Sequence, residues 1–260
     1  NDFFNRKEML DALKNHWPEY AIEAWCLGMF MVSACMFGVL LYHSASPVVE
    51  LSIASKNFLM GLTMGATAVG IITSPWGKRS GAHFNPAVTL TFLRLGRIGR
   101  TNAFFYIVSH FTGGLVGVLI SWLILGEWLA DSMVNFVATV PGNMGGASAF
   151  IAEMLISFVM MLTVLLASHS ARFRHLTPLL AGTLLAIYIT FESPISGTSL
   201  NPARTFATAV VSGNWTGWWI YFIAPPIAML AAGEVFIWTK RARGVDRMTP
   251  QAGSGDELSA

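Results

Sequence analysis

Seven long stretches without a single charged side chain constrain this sequence more than any other feature. No Asp, Glu, Lys or Arg occurs from Ala24 to Val49, from Asn57 to Gly77, or from Thr101 to Gly126. The same holds from Ser132 to Ala152, Met154 to Ala171, His175 to Phe191 and Thr205 to Gly233. A helix crossing a bilayer needs about 20 mostly apolar residues. We read six spans, at 20–43, 54–75, 102–125, 147–169, 176–192 and 217–239. Only 12% of the 260 residues are charged, about half the ~25% of an ordinary soluble domain. The net charge of +2 points away from nucleic-acid binding. The first gap is too long for a signal peptide and follows a charged segment, Asp2 to Glu19. Cys26 and Cys35 share one apolar run and read as core residues.

Basic residues orient the spans. Six crossings place both termini on one side. That side collects Arg6, Lys7, Lys14, Lys78, Arg79, Arg94, Arg97, Arg100, Arg172, Arg174, Lys240, Arg241, Arg243 and Arg247, fourteen of the sixteen Lys and Arg. Positive charge marks the cytoplasmic side, so both termini are expected in the cytoplasm and the protein in the inner or plasma membrane. Lys56 and Arg204 fall outside. Topology does not explain Arg204. We divide the chain into a cytoplasmic segment 1–18, a channel domain 19–242 in two halves (about 20–125 and 147–239), and a polar tail 243–260 expected to be disordered.

The halves repeat one another. Asn85-Pro86-Ala87 follows span 2, and Asn201-Pro202-Ala203 follows span 5. Ser80-Gly81-Ala82-His83-Phe84 precedes the first triplet, and Ser196-Gly197-Thr198-Ser199-Leu200 precedes the second. Each half carries one acid near the start of its first span, Glu23 and Glu153. Three spans per half invert the second copy, an architecture that places a site near the membrane midplane. Asn is a strong helix N-cap and Pro a favoured first helical residue. Each triplet therefore reads as the start of a helix too short to span, dipping in from one face. Two such half-helices would meet with their positive ends at the midplane. Gly61/Gly65 and Gly113/Gly117 are spaced to let helices cross closely. His83 reads as a loop hydrogen-bonder rather than a metal ligand, and His169 and His175 as residues of a solvated loop. Trp128, Trp215, Trp218 and Trp219 are candidate interfacial anchors.

The paired triplets, Ser-Gly-Ala-His before the first, and Arg204 directly after the second resemble the aquaporin, or major intrinsic protein, family over about residues 20–240. The resemblance implies an all-α membrane fold of six helices plus two re-entrant half-helices, and a homotetramer with a pore in each subunit. It implies that Asn85 and Asn201 offer amides to the permeating molecule. It implies that Glu23 and Glu153 hold the loops and that Arg204 stands in the outer constriction, opposing cations. Thr205 where glycerol facilitators have Asp, Ala209, and Tyr221-Phe222 before Pro225 resemble water channels. Counting back from each Asn without gaps puts Gly65, Ile189 and Thr198 beside Arg204 in the filter, and a gap would put Met60 or Gly61 in place of Gly65. Gly65 and Ile189 stand where water channels carry an aromatic residue and His. The expected function is a passive channel for water and small neutral solutes of glycerol, urea or boric acid size. A strict water channel and a secondary transporter stand as alternatives. No enzymatic grouping, cofactor, metal site or nucleic-acid partner is read.

Overall fold

A computed structural model describes residues 5–242; the expected disordered tail, with Arg243 and Arg247, lies outside the described residues. Among the described residues there are helices and no strands. In chain order they are α1 (Arg6–Tyr42), α2 (Ile53–Thr73), α3 (Pro75–Ser80), α4 (Pro86–Arg94), α5 (Arg100–Leu125) and α6 (Glu127–Ala130). Then come α7 (Gly145–Ser168), α8 (Thr177–Phe191), α9 (Ser193–Ser196), α10 (Pro202–Ser212) and α11 (Trp218–Ala242).

Six of these match the expected spans. Four, α1, α5, α7 and α11, are long and apolar enough to cross a membrane on their own terms. The other two, α2 and α8, are shorter or more polar. At 15 residues, α8 reaches only about 22 Å, less than the ~30 Å hydrocarbon core. The turn of α9 continues it. At 37 residues, α1 is about 55 Å long. Its first turns therefore extend beyond the apolar layer, carrying Arg6, Lys7 and Lys14.

Packing follows the inverted repeat. In each half the first and third spans pair, α1 with α5 and α7 with α11, while the second spans α2 and α8 pair across the halves. The half-helices cross over as well: α4 leans on α11 and α10 on α5. Neither half can therefore complete its core alone. The main buried cluster joins Phe30, Met31, Met60, Met64 and Ile189 to Ala203 and Ala207 of α10. Cys26 and Cys35 are free thiols within it.

Glycines sit where helices cross. A Cβ on Gly113 would lie 2.0 Å from the Ala24 carbonyl oxygen, and one on Gly117 2.4 Å from that of Gly28. On α2, a Cβ on Gly61 would lie 2.4 Å from the Ala186 oxygen, and one on Gly65 2.5 Å from the Gly182 oxygen. Side chains at these positions would force the backbones apart.

The connection between the halves is pinned to the C-terminal end of α1. Asp131 accepts from Ser44 Oγ at 2.7 Å and lies 3.7 Å from His43 Nε2. The Ser44 hydroxyl and the Met133 N–H hold the Asp131 carboxyl below the usual carboxylate range.

Candidate functional site

Both re-entrant loops are built by one rule. Gly81 (φ 91°), Ala82 (φ 46°) and Phe84 (φ 30°) are left-handed, and so are Gly197 (φ 82°), Thr198 (φ 52°) and Leu200 (φ 53°). Left-handed residues on both sides of His83 and of Ser199 turn successive N–H groups toward one concavity that suits an anion. Glycine adopts such angles freely, whereas the other residues cost about 1–3 kcal/mol each. A buried carboxylate offsets that cost in each loop. Glu23 accepts from the N–H of His83 at 3.0 Å and of Phe84 at 2.7 Å. Glu153 accepts from the N–H of Ser199 at 2.6 Å and of Leu200 at 2.9 Å. Both acids are fully buried.

The loop starts are tied down too. Tyr106 Oη donates to the Ser80 carbonyl at 2.8 Å, and Tyr221 Oη to that of Ser196 at 2.5 Å. Neither tyrosine was expected from the sequence in this role. Tyr106 follows Asn85 by 21 residues and Tyr221 follows Asn201 by 20, and that near-match was the available signal.

At the triplets, Asn85 caps α4 by accepting from Ala87 N–H, and Asn201 caps α10 by accepting from Ala203 and Arg204 N–H. Each Asn also reaches across the repeat. Asn85 Nδ2 donates to the Leu200 carbonyl and Asn201 Nδ2 to the Phe84 carbonyl, both at 2.8 Å. The two half-helix N-termini are thereby locked face to face. Their positive ends add at the junction. One N–H of each Asn amide is committed to the opposite loop, leaving a second.

The remaining residues divide. His83 Nδ1, in the first loop, meets Thr89 Oγ1 of α4 at 3.0 Å. Arg204 is 9% exposed, and its Nη1 is buried with no partner among the described residues. Ile189 and Thr198 are also buried. Thr198 Oγ1 donates to Glu192 Oε2 at 2.6 Å. Gly65 needs a correction. Its missing side chain makes room for α8, whose Gly182 oxygen and Ala186 Cβ a Cβ would meet at 2.5 and 3.1 Å. The position is a helix crossing rather than an open pore wall. Met64, the preceding residue, lies in the buried cluster that holds Ile189.

Sequence reasoning also missed His110. Its Nε2 lies 2.8 Å from Glu23 Oε2, and both side chains are fully buried. A single His in an apolar run carries no local signal.

A protein-family profile described as Major intrinsic protein matches residues 12–236. The chain belongs to that family. Among its relatives, Aquaporin-4 of Bos taurus is 28% identical over 240 residues, 89% of this chain and 71% of that protein. Probable aquaporin NIP4-2 of Arabidopsis thaliana is 34% identical over 176 residues, 67% of this chain and 60% of that protein. The X-ray structure of the aquaglyceroporin from Plasmodium falciparum superposes with a TM-score of 0.73 at 18% identity, covering 85% of this chain and 96% of that one. The fold is accordingly the all-α aquaporin fold. The protein is an integral membrane channel for water or small solutes, not an enzyme.

Proposed function

We propose that each subunit is a passive pore conducting water and small neutral solutes of glycerol, urea or boric acid size while excluding protons and ions. The observation that carries this reading is the junction of α4 and α10. Two helix N-termini and two Asn amides face one another there, and Arg204, in the first turn of α10, keeps a buried guanidinium nitrogen with no partner among the described residues. Such an array favours neutral acceptors in single file and raises the barrier to cations and protons. The outer filter would comprise Ile189, Thr198 and Arg204, with Met64 in place of Gly65 on the α2 side. Ile189 gives a wall without hydrogen-bonding groups, so passage would not demand the tight polar fit of water alone. Charged solutes would remain excluded, because each unmet polar group costs about 1–3 kcal/mol.

The pores would assemble as a homotetramer in the cytoplasmic membrane with both termini inside, which the distribution of Lys and Arg supports. Stopped-flow light scattering on proteoliposomes tests the function. We expect rapid, non-saturating flux of water and measurable flux of glycerol, urea or boric acid, without proton leak. Good water flux with none of the three solutes would leave a strict water channel. Countertransport would make the protein a carrier.

A further inference from the structure

Glu192 belongs to neither the paired triplets nor the loop-holding acids, yet it touches the filter loop. It caps the end of α8, where its N–H donates to the Tyr188 carbonyl at 2.7 Å and its own carbonyl accepts from Ile195 N–H at 2.7 Å. Its side chain is thereby fixed beside Thr198. One carboxylate oxygen receives the Thr198 hydroxyl at 2.6 Å; the other is buried and meets no partner among the described residues. In the first half Ala82, which has no hydroxyl, stands where Thr198 stands in the second.

An ionised carboxylate only accepts. It must therefore take the proton of the Thr198 hydroxyl, which leaves that hydroxyl with lone pairs and no donor to give. We propose that Glu192 is a positioning residue that makes the Thr198 side of the outer filter acceptor-only, opposite the donor side set by Arg204, and so selects polyols. Such solutes carry hydroxyl protons for one wall and oxygen lone pairs for the other. The proposal rests on the reading that the pore admits solutes larger than water.

Stopped-flow permeabilities of water and glycerol in proteoliposomes test it with four variants. Glu192→Gln offers an amide that can donate to the Thr198 oxygen as well as accept from it, so the side chain no longer fixes the direction of the Thr198 hydroxyl. Thr198→Val removes the same bond from the other side. Each should lower glycerol relative to water by about three- to tenfold, the size of one lost hydrogen bond. The double variant should lose no more than either single one. Thr198→Ser keeps the hydroxyl and should keep the wild-type ratio. Equal loss of water and glycerol would assign Glu192 a purely structural role and overturn the proposal. So would an unchanged ratio, or additive losses in the double variant. If the wild-type protein conducts water but no glycerol, the wide-pore reading fails first and the polyol selection falls with it. If wild-type glycerol flux is good and the ratios do not move, only the role of Glu192 fails.

Discussion

The two re-entrant loops share a backbone and differ in what balances their acids. Shifting the first triplet by 116 residues lays His83 on Ser199, Val88 on Arg204 and Thr89 on Thr205. Each acid accepts two consecutive N–H groups, and each Asn bonds the opposite loop. Glu23 has a fully buried partner in His110, four residues after Tyr106. Four residues after Tyr221 stands Pro225, which cannot take that role. Glu153 instead accepts a hydroxyl, from Ser196 at 3.0 Å. The repeat thus repeats the scaffold and not the charges. In the first loop Glu23 is closed by the buried His110, while the second loop is followed in the first turn of α10 by Arg204, whose Nη1 has no partner among the described residues.

That contrast is most directly broken at the acids. Glu23→Ala strands His110, whose Nδ1 already lacks a partner among the described residues, as well as two N–H groups. Removing one member of a buried pair costs about 3–5 kcal/mol. Glu153→Ala strands two N–H groups and one hydroxyl that can turn elsewhere. We expect it to cost about 1–2 kcal/mol less, read as thermal unfolding in detergent. Glu23→Ala combined with His110→Leu should recover part of the loss. Equal losses in the two single variants, with no recovery, would mean that His110 does not distinguish the loops.

The comparison sharpens at Arg204. Arg204→Val gives α10 the residue that α4 carries at Val88, making the halves alike at that point. Neutral solute flux should persist. Cation or proton leak should rise about ten- to hundredfold, matching a charged hydrogen-bonding group worth about 1.5–3 kcal/mol. The measurement is proton flux in pH-loaded proteoliposomes. A variant that stays ion-tight would place the barrier wholly at the paired helix N-termini.

The asparagines test the symmetric part. Asn85→Ala and Asn201→Ala each delete one cap and one cross-loop bond. Each should destabilise by about 1–2 kcal/mol, and the two losses should agree within about 0.5 kcal/mol. A larger gap in thermal unfolding would show that the reciprocal bonds are not energetically equivalent.

What the sequence made legible was whatever repeats or alternates along the chain. The charge-free runs marked the spans, and the twin triplets marked the loops and their inversion. Gly65 was misassigned because counting back from Asn85 assumes an unbroken α2. Ser74 ends that helix, and a separate α3 of six residues follows, against four in α9. A count along the chain holds no information about where a helix breaks. The spacing of Gly61 and Gly65 did predict a close crossing, and that was the sounder use of the same residue. His110 and Glu192 were invisible for another reason. Each acts through a contact made in space, with a residue 87 positions away for His110 and across a loop turn for Glu192.

The smallest expected effect separates the two threonines. Thr89 Oγ1, in α4, bonds His83 of the loop that leads into that helix. Thr205 Oγ1 lies 2.6 Å from both Ser199 Oγ and Thr139 Oγ1, so it ties the second loop to the connection between the halves. That connection is also bonded to α9, which leads into the second loop, by Gly142 N–H donating to the Ile195 carbonyl at 2.9 Å. The difference is topological. One segment joins the halves, and these bonds brace the second loop. Thr205→Val should weaken this tie by about 1 kcal/mol or less, speeding amide exchange at Gly142 by up to about fivefold. Thr89→Val should leave Gly142 exchange unchanged while disturbing His83. If both substitutions loosen Gly142 alike, the two loops move as one body, and the connection braces the first loop through the second.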